Sequence, residues 1–310
     1  MLDFEIRNNL IKAIMDRLEG VLHGKRDVLL RLLVCVFSGG HILLEDVPGL
    51  GKTTVAIAFT RALGLSFGRV QCTNDLLPTD VTGLNIFKAE RGQFEFHPGP
   101  IFNNILLVDE INRATPKTQS ALLEAMGEEQ ATIDGQTYKL THPFMVIATQ
   151  NPIEHSGTFP LPESQMDRFM MRTVIGYPEP DAEREILRVG SQKVSIENLA
   201  PMLNPGHVTA CQNLVEGITA SEKILDYILT IAYTTRQHPM IEAGISTRGA
   251  MVLLRCAKCV SWMRGRDYVV PEDVKAFAGD VLAHRLQPSS GPRSGMRGVI
   301  DAILEGTPSP

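Results

Sequence analysis

The first half of the chain alternates short apolar runs with helical patterns. Five runs rich in branched residues occupy positions 41–44, 66–71, 105–108, 144–148 and 171–174. Apolar residues recur at helical spacing between the runs, which is typical of a parallel sheet with crossover helices. We therefore predict an α/β domain over residues 1–176, with a five-stranded parallel sheet between two layers of helices.

Two insertions interrupt this alternation. Residues 130–140 alternate like strands around Asp134 and Gly135, a pair that favours a tight hairpin. A second insertion is predicted between about Gly83 and Gly99, and it contains Phe94, Phe96 and Pro98. We expect neither to be a strand of the main sheet.

The second half follows a helical pattern. Prolines in residues 176–181 break the chain, so we predict a linker over about residues 176–183 and a small all-α domain over residues 177–310. Helices are predicted over residues 221–236, with Ser221 as the cap, and over residues 247–263 and 271–278. The composition of residues 287–295 predicts a loose tail.

A glycine-rich loop follows the first apolar run. Gly49 and Gly51 let backbone N–H groups close around phosphate oxygens, and Lys52 then reaches the outer phosphates. The Thr53 hydroxyl can bind Mg²⁺ at the start of a helix. An ordinary turn between strand and helix is the alternative. The residues assigned to nucleotide binding in this loop are Asp46, Pro48, Gly49, Leu50, Gly51, Lys52, Thr53 and Thr54.

The third apolar run ends in two acids, Asp109 and Glu110. A buried strand delivers carboxylates to its end, where Asp109 can bind Mg²⁺ and Glu110 can orient an attacking water. Alone, the pair could be a solvated strand end. Following the loop in this order, it predicts a nucleotide hydrolase.

Composition and charge limit the other possibilities. A chain of 310 residues with 44% hydrophobic content can bury one large core and a smaller second one. The formal net charge of −5 argues against a general nucleic-acid binder. Nine basic against four acidic residues lie between Thr247 and Arg297, which we interpret as solvated helix faces plus one nucleotide-sensing arginine.

Neither a targeting segment nor a metal motif is predicted. The longest apolar stretch, residues 28–37, contains Arg31 and is far shorter than the ~20 residues of a membrane span. We expect a cytoplasmic protein without stable membrane insertion. Five mostly isolated cysteines fit reduced thiols. Cys256 and Cys259 have CxxC spacing inside an apolar helical pattern, so we predict buried helix residues.

Three sequence blocks resemble the MoxR family of AAA+ ATPases. They are residues 44–53, 109–126 and 148–152, and residues 157–169 and 244–248 extend the likeness to nearly the whole chain. An aspartate at position 46 is typical of that family. The resemblance implies an AAA+ P-loop NTPase core followed by a helical lid domain, with ATP and Mg²⁺ as ligands.

The resemblance also assigns roles to further residues. Asn151 matches the first sensor, which reports the γ-phosphate and helps position water beside Glu110, although an Asn-Pro turn is the alternative. Arg168 matches the arginine finger that reaches the neighbouring subunit's site, with a surface salt bridge as the alternative. Arg248 matches the second sensor, which is carried on the lid.

Two weaker assignments rest on the same likeness. Val21 and Gly24 precede the first core helix, where related ATPases close a pocket on adenine, but a helix-terminating turn at Gly24 would look the same. Arg113 is an interface candidate, with an internal ion pair as the alternative.

A finger that acts in trans implies a homo-oligomeric ring, hexameric by the resemblance, in which ATP hydrolysis drives subunit motion. The family implies remodelling, assembly or metal-cofactor maturation of a client protein complex with a von Willebrand factor A domain partner. The two insertions would touch the client, or be loops without contacts. Rival functions are a nucleic-acid motor or transcription activator on the same fold, and an ATP-dependent scaffold with little turnover.

Overall fold

A computed structural model describes residues 4–47, 49–152, 157–190, 196–291 and 295–310. Pro48, assigned above to nucleotide binding, and residues 292–294 of the predicted tail lie outside the described residues.

Helices and strands alternate through the first half, and helices dominate the second. The helices are α1 (Phe4–Glu19), α2 (Arg26–Phe37), α3 (Lys52–Ala62), α4 (Pro78–Thr82), α5 (Pro116–Glu128), α6 (Glu163–Met166), α7 (Pro180–Val189), α8 (Pro205–Glu216), α9 (Glu222–Gln237), α10 (Thr247–Met263), α11 (Pro271–Lys275), α12 (Ala278–Leu282) and α13 (Met296–Gly306). The strands are β1 (Ile42–Glu45), β2 (Phe67–Gln71), β3 (Gly83–Lys88), β4 (Gln93–Pro98), β5 (Ile105–Asp109), β6 (Gln130–Ile133), β7 (Gln136–Lys139), β8 (Met145–Gln150), β9 (Met171–Thr173), β10 (Ile241–Ala243) and β11 (Gln287–Pro288). Short 3₁₀ turns cover Pro100–Phe102, Ile111–Arg113 and Ala283–Arg285.

The predicted five-stranded parallel sheet is confirmed. Its strand order is β2-β5-β8-β1-β9, and every pairing within it is parallel. β1 and β8 are thus neighbours, and β5 lies on the other side of β8. The carboxyl ends of these three strands meet at one edge, which brings the glycine-rich loop and the acidic strand end together.

Helices cover both faces of this sheet. Leu44, Leu107 and Ile147 belong to one apolar cluster with buried residues of α2 and α3. Leu43, Leu106 and Val146 belong to a second cluster with α5. Successive strand residues point to opposite faces, so burial on both sides explains why these strands read as continuous apolar runs.

The two predicted insertions are both antiparallel hairpins outside the main sheet. β6 and β7 pair around Asp134 and Gly135, which both have positive φ (50° and 79°), as a tight two-residue hairpin turn requires. β3 pairs with β4 over the second insertion. Phe96 of β4 stacks on Tyr138 of β7 with ring centroids 4.2 Å apart, and Asn85 Nδ2 donates to Asp134 Oδ2 at 2.8 Å. The hairpins are therefore joined to each other.

The helical second half packs against α2 and β9 of the core. Trp262 of α10 meets Phe37 of α2 edge to face, with ring centroids 5.3 Å apart. Arg31 of α2 donates to Asp280 of α12 at 2.8 Å. The first apolar cluster contains buried residues of both halves of the chain, from Ile11 of α1 to Leu304 of α13. Core and lid therefore share one buried apolar interior, and the boundary near residue 176 stays a prediction.

Several predictions for the second half need correction. The helix over Thr247–Met263 is found, but the predicted helix over residues 271–278 is split into α11 and α12, because Phe277 leaves the helical region and packs against the core. Ser221 precedes α9, but its side chain makes no capping hydrogen bond. Within the predicted loose tail, β11 pairs with β10.

The prediction that Cys256 and Cys259 are buried helix residues is confirmed. Cys256 and Cys259 are fully buried on α10, and burial raises the pKa of Cys259 to about 12, so both thiols are helix-packing groups. None of the helices in the described part of the chain combines the length and apolarity that a bilayer crossing requires.

Candidate nucleotide site and subunit-edge residues

The phosphate loop, defined here as residues 46–51, connects β1 to α3. Gly49 has φ of 91° and Gly51 has φ of 81°, a region that side chains other than glycine rarely adopt. A Cβ added at Gly49 would meet nothing within 4 Å. The loop thus presents glycine backbone to open space at the start of α3, where N–H groups and the helix dipole favour an anion.

Lys52 connects this loop to the acidic strand end. Its ammonium donates to the carbonyl of Asp46 at 2.6 Å and to that of Val47 at 3.3 Å. Burial lowers the pKa of Lys52, and the negative charges of Asp46, Asp109 and Glu110 act against that shift. The lysine therefore lies within electrostatic reach of both acids that follow β5.

The Asp46 side chain points away from the loop toward the linker. Its Oδ2 accepts from the backbone N–H groups of Ile175 and Gly176, and Lys25 Nζ donates to the Gly176 carbonyl at 2.9 Å. Asp46 therefore ties the phosphate loop to the chain that leads into α7. The sequence pattern placed Asp46 among the nucleotide contacts, whereas its carboxylate binds backbone.

Asp109 and Glu110 stand at the carboxyl end of β5 in different settings. Asp109 is buried, and its Oδ2 accepts from Arg69 Nε of β2 at 2.8 Å. Glu110 has φ of 56°, and its backbone N–H donates to the buried Thr149 hydroxyl at 2.9 Å. A left-handed glutamate is a strained position held by its surroundings, which is frequent at functional sites.

Glu110 is also held through its carboxylate. Arg113 Nε lies 3.0 Å from Glu110 Oε2, and Gln71 Nε2 donates to the same oxygen at 3.3 Å. Arg113 thus takes part in an internal ion pair, which is the alternative that the sequence left open. Asn151 follows β8 directly, and Thr149 lies two residues before it on that strand.

A cavity of about 740 Å³ adjoins the phosphate loop, within the size range of small-molecule sites. Gly49, Leu50, Gly51 and Thr54 line one side, and α7 covers the other. Leu22 and His23 face the cavity, whereas Val21 packs against the core and Gly24, at φ of 68°, turns the chain beneath α7. Cavity-lining residues that the sequence did not assign include Leu22, His23, Lys25, Tyr177, Pro178, Ile186 and Leu187.

Arg168 lies between α6 and β9. Its Nη1 donates to the Leu123 carbonyl of α5 at 2.7 Å, and Gly127 leaves room for the guanidinium, since a Cβ there would come within 1.9 Å of Nη1. Arg168 is absent from the described lining of the phosphate-loop cavity.

Arg248 lies beside the same segment. Its Nε is 3.8 Å from Asp167 Oδ2, the residue next to Arg168, and its side chain is about half exposed. Arg248 is likewise absent from the described lining of the cavity. The two arginines that the sequence selected therefore lie beside one segment, residues 167–168, and neither lines the phosphate-loop cavity in the described residues.

Comparisons with known proteins agree with this architecture. A family model for the ATPase family associated with various cellular activities (AAA) matches residues 41–171, and an AAA lid domain model matches residues 233–304. The chain is 39% identical over 289 residues to Chaperone MoxR1 of Mycobacterium tuberculosis, covering 90% of this chain and 76% of that protein. The chain belongs to the MoxR family of AAA+ ATPases.

Further relatives extend this family assignment along the chain. Protein MoxR of Paracoccus denitrificans is 32% identical over 321 residues, and the alignment covers 94% of this chain and 94% of that protein. A crystal structure from Cytophaga hutchinsonii, of a protein provisionally designated an ATPase, superposes with a TM-score of 0.89 at 39% identity, over 99% of this chain and 97% of that one. The MoxR core and lid described above are thus found together in a solved relative.

Proposed function

We propose that this MoxR-family protein hydrolyses ATP at a seam between two protomers. We call the phosphate loop with Lys52, Asp109, Glu110 and Asn151 the receiving half of the site. We call residues 167–170 with Arg248 the donor half. The observation that carries the proposal is the sheet order, in which β8 pairs with both β1 and β5 and so places the loop before Lys52 and the acids Asp109 and Glu110 at one sheet edge.

The residues present suit a magnesium–triphosphate ligand. The two glycines offer a concave backbone, and Lys52 supplies a cation for the outer phosphates. Thr53, in the first turn of α3, and Asp109 would hold Mg²⁺ through oxygen atoms, the ligands that this ion prefers. Bound there, Mg²⁺ would neutralise phosphate charge during cleavage.

Each residue of the receiving half has a step to perform. Lys52 would exchange its bonds to the loop carbonyls for phosphate oxygens, which are better acceptors for a cation. Glu110, held by Thr149 and Arg113, would orient the attacking water and accept its proton. Asn151 at the end of the neighbouring strand would help position that water.

The donor half would complete the site of an adjacent copy. Arg168 would offset charge on the transferring phosphoryl group, as an arginine finger does. We assign Arg248 to the same half, because it lies beside Asp167 and not along the cavity of its own chain. This assignment requires a closed ring of identical subunits, and we propose a hexamer.

Nucleotide turnover would then remodel a client protein complex, in concert with a von Willebrand factor A domain protein. The joined hairpins support this part of the proposal. Phe94, near the start of β4, is 69% exposed, and its ring meets that of Phe87, itself more than half exposed, edge to face with centroids 5.3 Å apart. Exposed apolar groups on a projecting hairpin are suited to contact another protein.

Steady-state ATP hydrolysis tests the enzymatic part. Glu110→Gln is expected to keep nucleotide binding and to lose hydrolysis by about 100-fold or more, because it removes a general base. Lys52→Ala is expected to lose binding. Equally low turnover by the wild-type and Glu110→Gln proteins would support the scaffold function instead, and equally high turnover would argue against Glu110 as the general base.

Capture from a lysate tests the partner. The Glu110→Gln protein, held on ATP, is expected to retain a von Willebrand factor A domain protein that the Lys52→Ala protein does not retain. Retention of the same partner by both variants would argue against nucleotide-dependent remodelling. Enrichment of nucleic acid would favour a motor on this fold.

A further inference from the structure

Arg285 is a buried cation on the lid, and it has no role in the proposed steps of ATP hydrolysis. Its side chain is 2% exposed, and burial lowers its pKa while Asp167 acts against that shift. A guanidinium stays charged at neutral pH even so. A buried charge of this kind is costly unless it is paired and hydrogen-bonded, so its partners indicate why it is retained.

Those partners surround the arginine finger. Arg285 Nε donates to Asp167 Oδ1 at 2.7 Å, and Nη2 donates to the carbonyls of Asp167 and Phe169 at 3.1 Å and 2.7 Å. Nη1 donates to the Met170 carbonyl at 3.2 Å and to the Val281 carbonyl of its own lid segment. Arg285 therefore binds residues immediately before and immediately after Arg168 in the sequence.

The neighbouring lid residues strengthen this hold. His284 is also buried, and its Nε2 lies 3.1 Å from the Phe169 carbonyl. Arg248, on α10, approaches the second oxygen of Asp167. Three lid side chains thus contact residues 167–169 over a sequence separation of about 80 to 120 residues.

The Arg168 side chain itself is held differently. It contacts the Leu123 carbonyl of α5, which belongs to the core. The backbone that carries the finger is therefore bound to the lid through Arg285 and to the core through the Met170 N–H, which donates to the His41 carbonyl at 2.8 Å. The Arg168 guanidinium rests on the core. A movement of the lid relative to α5 would change where the finger points.

We propose that Arg285 is a positioning residue for the arginine finger, which transmits the position of the lid to the donor half in the same protomer. A guanidinium suits this role because its planar fork binds several carbonyls and a carboxylate at once, which an ammonium cannot reproduce. The inference rests on the trans-acting finger of the proposed function.

The test uses Arg285→Lys, which keeps the charge and loses the fork. We expect ATP hydrolysis to fall about tenfold or more, while nucleotide affinity stays within about twofold, since the receiving half is untouched. Arg31→Lys is the matched control. Arg31 also bridges core and lid through a buried carboxylate, that of Asp280, but does not contact residues 167–170. It is expected to hydrolyse ATP at nearly the wild-type rate.

Mixing experiments assign the defect to one half of the site. Arg168→Ala mixed with Lys52→Ala creates some interfaces with a sound receiving half and a sound finger, roughly a quarter of them in random rings, and should recover activity. Arg285→Lys mixed with Lys52→Ala should recover in the same way. Arg285→Lys mixed with Arg168→Ala should not, because both would damage the donor half.

Each of the other outcomes would contradict either the role of Arg285 or the trans-acting finger on which it rests. Recovery of Arg285→Lys by Arg168→Ala would place the damage in the receiving half and refute the inference. So would full activity of Arg285→Lys, or a failure to recover with Lys52→Ala when Arg168→Ala recovers. If co-assembled Arg168→Ala and Lys52→Ala recover nothing, the trans-acting finger fails first and the inference fails with it.

Discussion

The receiving half and the donor half of the site are built in different ways. The receiving half comes from loops that directly follow β1, β5 and β8, so neighbouring strands bring its residues together. The donor half is a short segment between α6 and β9, and its contacts come from α5, from His41 before β1 and from the lid. One half is part of the sheet edge, whereas the other depends on a distant domain.

This difference suggests where the protein can be regulated. Buried strands of the main sheet hold the residues of the receiving half. If Arg168 acts as the proposed finger, a movement of the lid would change its position, and nucleotide bound in one protomer would alter catalysis in the next. Variants that each damage one half of the site test this difference.

Removal of the finger should have the largest effect. Arg168→Ala is expected to lower the rate of ATP hydrolysis by about 1,000-fold, within the range attributed to arginine fingers, while nucleotide still binds. Turnover and equilibrium binding of a fluorescent nucleotide would measure the two effects. Arg184→Ala, at an exposed i,i+3 surface pair with Asp181, is the control and should behave like the wild-type protein. A loss of nucleotide binding in Arg168→Ala would show that Arg168 serves its own site.

Mild acid should destabilise the fold through the buried histidines His41 and His284. His41 Nδ1 accepts from the Val146 N–H at 3.0 Å, so its Nε2–H donates to the Met126 carbonyl, one residue before Gly127 against which Arg168 rests. Burial lowers the pKa of His41 to about 4 and lowers that of His284 well below its usual value. Both rings are therefore neutral when folded.

The sign of the pH effect follows from these shifts. Below pH ~6.5 His41 is protonated in the unfolded chain, whereas in the folded protein it stays neutral until about pH 4. The free energy of unfolding therefore falls as the pH is lowered through this window, by about 3 kcal/mol for His41 at its lower end. Denaturant titrations between pH 7.5 and 4.5 would measure it. His41→Gln should lower the slope by about one proton, and an unchanged slope would contradict this account.

A Cβ in the phosphate loop should affect the receiving half alone. Gly49→Ala is expected to cost about 1 kcal/mol of folding stability because of its positive φ, and to weaken nucleotide binding about tenfold or more, because the methyl group would enter the space where phosphate binds. Gly92→Ala is a matched control, with φ of 62° and equally open surroundings on the β3–β4 hairpin. Equal affinity in both variants would argue against phosphate binding at this loop.

Changes in the joined hairpins should have the smallest effect on ATP hydrolysis. A double-mutant cycle of Phe96→Ala and Tyr138→Ala is expected to give a coupling energy of about 1 kcal/mol in unfolding, typical of an aromatic pair. Basal ATP hydrolysis should be unchanged in the single variants, because neither ring contacts the donor or the receiving half in the described structure. A large loss of basal hydrolysis would connect the hairpins to the site.

Much of the fold could be predicted because its signals are local. The five sheet runs, the hairpin at Asp134 and the helix over Thr247–Met263 follow from residue type and spacing. The helix α13 carries the same kind of signal, with apolar residues Met296, Val299, Ile300 and Ile303 at helical spacing, and was missed. The pairing of β10 with β11 joins segments about 45 residues apart, so composition did not indicate it.

The site was predictable to the same extent. The two loop glycines, Lys52 and the Asp109–Glu110 pair are recognisable because each belongs to a motif of adjacent residues. Leu22, His23 and the α7 side chains of the cavity, Arg69 beside Asp109, and Arg285 carry no local motif, since each acts through a partner far away in sequence. Asp46 is predicted from the loop motif to contact nucleotide, but the backbone groups that its carboxylate binds lie about 130 residues away in sequence.

The sequence by itself determined which chemical groups this protein has and which family it resembles, because backbone conformation and phosphate-binding chemistry depend on adjacent residues. Only the tertiary structure decided that Arg168 and Arg248 lie beside one segment outside the described lining of the phosphate-loop cavity, and that a buried lid arginine binds the chain on both sides of Arg168. Such contacts depend on how the lid packs on α2 and β9, a result of total apolar burial that no short segment of sequence encodes.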